Sequence, residues 1–477
     1  MTPALLIALL AQQPTPPPAA PDANKRVELN LLGTADTQAG ESRRNENIQF
    51  NLVDNNALKE LNVRLGVTAT IIPFFRADQA AFGSEFGNAP AGPIHLAPAK
   101  DTRRLHGELR WSHLNSVTSA RTFFQVGGVQ PARENDLGLA ASGIARKFYF
   151  SGDLSLQRLR GQVNGNVLVP APDERTPLAT DPALRALIAR WLAAYPTQLP
   201  NRTDINPRAL NTNSPQRIDN NGGGGRIDSP ETRFGRLLGQ YAYTGQNVDA
   251  FQLVAGQNPD TTTRSQRARL TWVRALSANT VAEVSFGYDR IRSILSPEPN
   301  AVGPMVSIAG LETLGPQGSI PIDRAQNLYR TQAQLRRTQN RHSWSAGATL
   351  FRRQFNGLET DAHRGFFAFA NDFGRDSITN LRLGAATQYI LSVGDTHRGF
   401  RNWEIAAYAG DVWKISDRTT LNYGLRYSAL PAPREVNGLN PIPYGCDCNN
   451  AAPLLGLAQR LPRRFGVLRA GASVQFG

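Results

Sequence analysis

The sequence predicts an all-β protein, an antiparallel transmembrane β-barrel that is either closed or incomplete. Three observations favour this fold class: many segments alternate apolar and polar residues, short connections alternate with long ones, and the polar positions are rich in charge. The 477 residues suffice for one large barrel. No apolar run reaches the roughly 18 residues of a membrane-spanning helix. Barrel strands average out in hydropathy, which fits the mean hydropathy of −0.36.

The N-terminal residues 1–26 predict an exported chain. A short apolar core from Ala4 to Ala11 is followed by the Pro-rich stretch PTPPPAAP. This order is typical of a secretory signal that leads into a flexible linker. No basic residue precedes the apolar core, so a chance apolar start remains an alternative.

The strands are predicted by period-two alternation, which TTLNYGLRYS (419–428) shows most clearly. Its leucines and tyrosines alternate with Asn422, Gly424, Arg426 and Ser428. Such alternation, with aromatic and branched residues, is typical of antiparallel sheet. The same pattern recurs around residues 148–156, 268–272, 284–288, 329–335 and 344–350.

The connections between predicted strands alternate in length. This rhythm is typical of outer-membrane barrels, which have tight periplasmic turns and long outer loops. Short links join 267–275 to 281–290, 329–337 to 343–355, and 402–413 to 419–429, and long links cover 244–262, 291–327, 357–364 and 431–452.

The charged faces of these strands indicate where the apolar faces point. Burying so many charges in a dry core would cost several kcal/mol each. In a water-filled lumen they cost little, whereas an arginine on the lipid face costs roughly 2–4 kcal/mol at mid-membrane. We therefore expect the apolar faces to contact lipid.

One segment, DPALRALIARWLAAYP, predicts a helix over 182–195. Asp181 is a plausible N-cap and Pro182 takes the first helical position. The helix lies within a polar stretch, 162–232, that ends in the flexible run NNGGGGR, and we expect this stretch to be a large outer loop. The apolar stripe predicts a packing face and consists of Leu184, Leu187, Ile188, Trp191, Leu192 and Tyr195.

The net charge of +14 admits two classes of partner. A basic protein can bind nucleic acid or the anionic headgroups and sugars of a bacterial surface. The arginines are spread over many segments, which weakens the case for nucleic acid, and we expect no nucleic-acid partner. The preference for arginine over lysine is explained equally well by genomic composition.

The candidate site residues are few. Cys446 and Cys448 lack the neighbouring histidines of a zinc site, and they either form a disulfide in an oxidising compartment or remain two thiols. No catalytic motif or phosphate-binding glycine loop is present, so we expect neither an enzyme nor a cofactor.

The sequence DAHRGF at 361–366 recurs as DTHRGF at 395–400. Four of its residues could converge on a metal or an anionic sugar: Asp361, His363, Asp395 and His397. The alternative, which we favour, is a recurrent strand start with an interfacial phenylalanine and no metal.

The run from Asn402 to Asn440 resembles the barrel signature of TonB-dependent outer-membrane receptors, in the carboxypeptidase-regulatory-like or Oar-like branch. Asp411, Trp413 and the segment 421–427 carry this likeness. LHGELRWSHLNSVTSARTFF at 105–124 resembles a first barrel strand. NIQFNLVDNNALKELNVRLGVTATI, followed by FGSEFG, resembles the end of a plug domain.

The resemblance implies a reduced plug-like domain at 27–100 and an outer-membrane barrel at 101–477. It also implies energised uptake of a scarce solute (an oligosaccharide, peptide or metal chelate) with a TonB-type partner, although no box for that partner is evident. About fourteen or fifteen strands are expected, fewer than the 22 or so of plugged transporters. Two alternatives stay open: a non-transporting or truncated surface barrel or adhesin, and a soluble basic β-protein that binds nucleic acid or polysaccharide.

Overall fold

The computed structural model describes residues 75–77, 94–96, 104–118, 131–299, 301–358, 362–462 and 466–474. The predicted signal-like segment 1–26 lies outside the described residues, as does most of the plug-like range 27–100. Within that range, β1 (Phe75–Ala77) pairs antiparallel with β2 (Ile94–Leu96).

The main sheet of the described residues has fourteen strands and is antiparallel throughout. Each strand of this sheet pairs with the strands of the sheet that precede and follow it along the chain, except that β17 (Arg434–Glu435) pairs beside this path with β15 (His397–Ser416). The other strands of the sheet are β3 (His106–Asn115), β4 (Arg133–Ala145), β5 (Phe148–Leu168), β6 (Ala209–Asp228), β7 (Arg236–Asp249), β8 (Asp260–Ser277), β9 (Thr280–Ser296), β11 (Ile322–Gln339), β12 (His342–Leu358), β15 (His397–Ser416), β16 (Thr419–Leu430), β18 (Asp447–Arg460) and β19 (Val467–Ser473).

Short and long links alternate along the sheet as the sequence predicts. One end carries the turns and the other carries the long links, which in outer-membrane barrels face outward. The strands are longer than expected because hydrogen bonding to both neighbours continues beyond the apolar part of each pattern. The short links are 146–147, 229–235, 278–279, 340–341, 417–418 and 461–466, and the long ones are 116–132, 169–208, 250–259, 297–321, 359–396 and 431–446.

The apolar faces of the strands point outward. In β16 the side chains of Tyr423, Leu425 and Tyr427 are 40%, 51% and 45% exposed, whereas Arg426 lies half-buried on the other face. Leu270 of β8 and Phe286 of β9 are similarly exposed. The central parts of β8, β9 and β16 therefore turn their apolar face outward and their more polar face inward.

The predicted outer loop 162–232 is wrong in its bounds. Strand β5 continues to Leu168, and the run NNGGGGR belongs to β6, where Gly222 is opposite Ser155 and Gly224 is opposite Asp153. Pairing with β5 and β7 on both sides outweighs the poor intrinsic strand preference of glycine. The predicted helix lies within the true link, as α1 (Pro182–Leu192).

The link after β12 is also longer than the predicted 357–364. It holds β13 (Phe366–Phe369), α2 (Ser377–Leu383) and β14 (Gln388–Ile390), and β13 pairs with β10 (Met305–Ile308) from the preceding long link. Strands of three or four residues are too short to show periodicity in the sequence.

The long links fold together at the outer end of the sheet. We call the described residues of 169–208, 250–259, 297–321 and 359–396 the outer cap. Its hydrophobic core joins α1, α2 and β13, and it rests on Val163, Val167 and Leu210 of the inner face of β5 and β6. Its fully buried side chains include Val169, Ile188, Val254, Val306, Leu314 and Leu381.

Candidate functional site

The inner face of the sheet carries a cluster of arginines midway along the strands. The register places them on one face, because Arg330 is opposite Gly287 and Phe351, and Phe351 is opposite Glu404. The inner arginine cluster consists of Arg267, Arg269, Arg330, Arg353 and Arg426, and two carboxylates, Asp289 and Glu404, lie among them.

Three of these arginines bind the two carboxylates. Arg267 donates from Nε to Asp289 Oδ1 at 3.0 Å, and Arg269 donates from Nη2 to Asp289 Oδ2 at 2.6 Å. Arg353 donates from Nη2 to Glu404 Oε2 at 2.7 Å. Hydrogen bonds between two charged groups are roughly twice as strong as neutral ones. These contacts fix the positions of the three guanidinium groups on the inner face of the sheet.

The remaining arginines keep unused donors. Arg330 donates from Nη2 to Gln332 Oε1 at 2.8 Å, but its Nε has no hydrogen-bond partner among the described residues. Nη1 of Arg426 likewise has no hydrogen-bond partner among the residues that the structure describes. Buried donors without partners are costly, so their presence on a lumen wall favours binding of an incoming acceptor.

An aromatic ring supports the cluster from within the wall. The centroid of Phe351 lies 5.3 Å from Cζ of Arg330 and 5.4 Å from Cζ of Arg353. Cations at this distance from a ring face are attracted by its quadrupole. Phe351 therefore holds two guanidinium groups near each other without neutralising either.

A row of polar side chains crosses the same face nearer the outer cap. Gln157 donates to Glu134 at 2.7 Å, Asn220 to Gln157 at 2.5 Å, and Gln246 to Asn220 at 3.0 Å. These four residues lie on β4, β5, β6 and β7 and are buried. The row links four neighbouring strands through buried side-chain hydrogen bonds.

Two acidic residues hold the outer cap together. Glu174 accepts hydrogen bonds from both terminal nitrogens of Arg208, and this contact lowers the pKa of Glu174. Glu312 lies among the cap residues, where burial raises its pKa. Its carboxylate accepts a hydrogen bond of 2.7 Å from Gln257, and its carbonyl oxygen accepts one of 2.6 Å from Tyr195. The cap thus closes through polar contacts as well as its apolar core.

The predicted site residues are only partly brought together. Nδ1 of His397 lies 3.6 Å from Asp395 Oδ1, and both side chains are well exposed. Asp361 lies outside the described residues, and His363 belongs to the outer cap. Among the described residues no three His, Cys, Asp or Glu side chains are grouped as for a metal ion. Metal binding at these positions stays a prediction that we do not favour.

The two cysteines are neighbours in space as in sequence. The Cα atoms of Cys446 and Cys448 are 5.3 Å apart. This separation is usual for disulfides. Oxidation of the pair in the cell stays a prediction.

The inner arginine cluster was missed at the sequence level. Its residues are the polar positions of alternating segments, and each looks like an ordinary lumen-facing side chain. Only the register between β8, β9, β11, β12 and β15 shows that they meet. The excess of arginine at such positions was the one available signal.

The arrangement agrees with a comparison against protein families. The family described as "Outer membrane beta barrel domain" matches residues 102–440, which is more than half of the chain. This chain belongs to that family. Its strands therefore lie in the outer membrane, as the alternation predicted, and the alternative of a soluble nucleic-acid-binding protein is set aside.

The solved structures to which this chain is similar include outer-membrane transporters and receptors. They include the outer membrane transporter YddB from Escherichia coli (TM-score 0.46, 13% identity, covering 79% of this chain and 44% of that chain). The siderophore receptor PirA from Acinetobacter baumannii has a TM-score of 0.43 and 15% identity, covering 82% of this chain and 46% of that one. The ferric-catecholate import receptor Fiu from E. coli K12 has a TM-score of 0.45 and 11% identity, covering 82% of this chain and 58% of that one. This chain spans about half the length of these proteins.

No curated protein sequence matches the chain. Among the described residues, no helix is both long and apolar enough to cross a bilayer.

Proposed function

We propose that this outer-membrane barrel is a receptor that binds an anionic solute and admits it through the lumen. The observation that carries the proposal is the inner arginine cluster, in which five arginines face two carboxylates and Arg330 and Arg426 keep free donors. Guanidinium groups in a fixed fork suit carboxylate and phosphate groups.

The chemistry of the wall narrows the class of solute. An acidic oligosaccharide, an acidic peptide or an anionic metal chelate offers several acceptors, which match several guanidinium groups. A neutral or cationic solute gains little from such a wall.

Energised uptake completes the proposal. It is supported by the likeness of Asp411, Trp413 and the segment 421–427 to TonB-dependent receptors. The outer cap folds over the inner face of β5 and β6, so a solute that enters must pass a packed structure. Because the packed outer cap has to open before a solute can pass, uptake suits a partner that delivers energy from the periplasmic side.

Titration calorimetry on the detergent-solubilised protein tests the binding step. We expect the affinity to rise in the order acetate, malate, citrate, and ferric citrate to bind at least as tightly as citrate. Arg330→Gln should weaken citrate binding about tenfold, which corresponds to about 1.4 kcal/mol. Arg352→Gln is the matched control, because Arg352 lies over Trp403 on the outward face. Equal binding of citrate and a neutral sugar would contradict the proposal.

Uptake by cells tests the second step. Labelled ferric citrate should accumulate in cells that express the protein and retain an energising partner, and should fail to accumulate once that partner is deleted. Accumulation that is independent of the partner would instead favour a passive surface barrel.

A further inference from the structure

Glu312 joins three of the four links of the outer cap to strand β5. Its backbone N–H donates to the carbonyl oxygen of Leu168 at 2.9 Å, and its own carbonyl oxygen accepts from the hydroxyl group of Tyr195 at 2.6 Å. Its carboxylate accepts from Nε2 of Gln257 at 2.7 Å. Leu168 ends β5, Tyr195 follows α1, and Gln257 lies in the link between β7 and β8. The contacts between these links therefore depend on Glu312.

The carboxyl group of Glu312 belongs to a segment of the cap core and has no cationic partner. Leu311 and Leu314, on either side of it in the chain, are buried members of this core. Among the described residues no ion pair involves Glu312. A carboxylate that is removed from water without an opposite charge is less stable in its ionised form. Burial therefore raises the pKa of Glu312, and the hydrogen bonds from Gln257 and Leu168 offset only part of this effect.

Few charged groups lie at the contacts of the link 297–321, which carries Glu312. Arg190 of α1, the turn 362–365 and α2 each form hydrogen bonds with the backbone of 301–309. The titratable and charged groups at these contacts are Arg190, Tyr195, Glu298, His363, Arg364 and Asp376. None of these described residues forms an ion pair with Glu312. Burial and the negative charge of Glu312 raise the pKa of Tyr195, so this phenol stays neutral at neutral pH.

We propose that Glu312 is a proton-dependent latch of the outer cap, which holds the links together while its carboxyl group is protonated and loosens them once it ionises. This concerns opening of the cap without any solute and so goes beyond the proposed binding of an anion. A carboxyl group whose pKa is raised by folding stabilises fully below its unfolded value, about 4.3, and loses that stabilisation as the pH rises through the higher folded value. The direction is opposite to that of Glu174, whose pKa is lowered.

Hydrogen exchange of the backbone amides, measured by mass spectrometry on the full chain in detergent without solute, tests this inference. We expect the protection of 169–208 and 297–321, corrected for the intrinsic effect of pH on exchange, to fall about fivefold between about pH 4.5 and pH 8. The amides of the long strands should keep their protection, because the latch acts on the cap alone. Protection of the cap that is constant or rises over this range overturns the proposal.

Three variants separate the latch from a merely structural contact. Glu312→Gln cannot ionise, so its cap protection should change less than about twofold over the same pH range. Tyr195→Phe removes the hydrogen bond to the carbonyl oxygen of Glu312 but keeps the carboxyl group, so protection should fall by a similar factor at every pH.

Asp204→Asn neutralises an exposed carboxylate of the same cap and should behave like the unaltered chain. Retention of the pH dependence in Glu312→Gln overturns the proposal and assigns the effect to another titrating group, such as His363. Loss of the pH dependence in Tyr195→Phe overturns it as well, because the carboxyl group is intact in that variant.

Discussion

The guanidinium of Arg382 donates from Nε to the carbonyl oxygen of Thr176 at 2.8 Å and so joins two loops that are 206 residues apart. The carbonyl oxygen of Arg382 in turn accepts hydrogen bonds from the backbone N–H groups of Leu178 and Ala179, at 2.8 and 3.0 Å. The outer cap is therefore one packed structure and not a set of independent loops. Its stability can be altered separately from that of the sheet.

Removal of a buried side chain should open the cap. Leu381 of α2 is fully buried in the cap core, and Leu381→Ala should cost about 2–5 kcal/mol of cap stability. We expect added protease to cut within 169–208 or 359–396 in the variant and the strands to remain intact. Ile390→Ala is the control, because Ile390 is 43% exposed. Equal protease resistance of the two variants would show that the hydrophobic core does not stabilise the outer cap.

Acid should loosen the cap through Glu174. The hydrogen bond from Arg208 is the main cause of its lowered pKa. A carboxyl group whose pKa is lower in the folded state stabilises fully above its unfolded value, about 4.3, and loses that stabilisation as the pH falls through the lower folded value.

Glu174→Gln should therefore weaken the cap at pH 7 by about 1–2 kcal/mol and remove this part of its acid sensitivity. Limited proteolysis between pH 7 and pH 3 measures both effects. Asp173→Asn is the control, since the ion pair of Glu174 with Arg208 remains in it. An Asp173 variant that behaves like the Glu174 variant would contradict the assignment.

The glycine run of β6 should tolerate a methyl group at one position and reject it at another. A Cβ atom on Gly223 would lie 2.9 Å from the carbonyl oxygen of Asp153, closer than side chains approach backbone. A Cβ atom on Gly225 would lie 3.7 Å from the carbonyl oxygen of Ser151, an ordinary contact.

We expect Gly223→Ala to destabilise the sheet by about 1–3 kcal/mol. Gly225→Ala should be neutral or stabilising by about 0.4–1 kcal/mol, because alanine restricts the unfolded chain. Urea unfolding in detergent measures both. The opposite order would mean that β5 and β6 are not paired in this register.

Charge on the two faces of β16 should differ in cost. Leu425 is 51% exposed on the outward face, and Leu425→Arg should destabilise the barrel in bilayers by roughly 2–4 kcal/mol. Asn422→Arg, on the inner face, should cost less than about 1 kcal/mol because the lumen is wet. Unfolding from lipid vesicles gives both values. Equal costs would contradict the outward direction of the apolar face.

The alternation of residues determined the strands and the direction of their faces. One face of each strand contacts lipid and the other contacts the water of the lumen. Apolar and polar residues therefore alternate along the strand, and this alternation is visible in a single sequence. Helix α1 was equally readable, because its signals are local: Asp181 accepts a hydrogen bond of 2.8 Å from the backbone N–H of Leu184. The alternating link lengths followed from the same pattern.

Only the tertiary structure decided which side chains meet. The ring of Trp191 lies 5.4 Å from that of Phe367, in another link, and Arg330 meets Phe351 only through the register of β11 and β12. The glycines of β6 are strand residues because β5 and β7 pair with them, which no local preference indicates. These features depend on contacts between residues far apart in the chain. Hydrophobic periodicity excludes register shifts by one residue, which would exchange the two faces, but it does not select among shifts by an even number of residues.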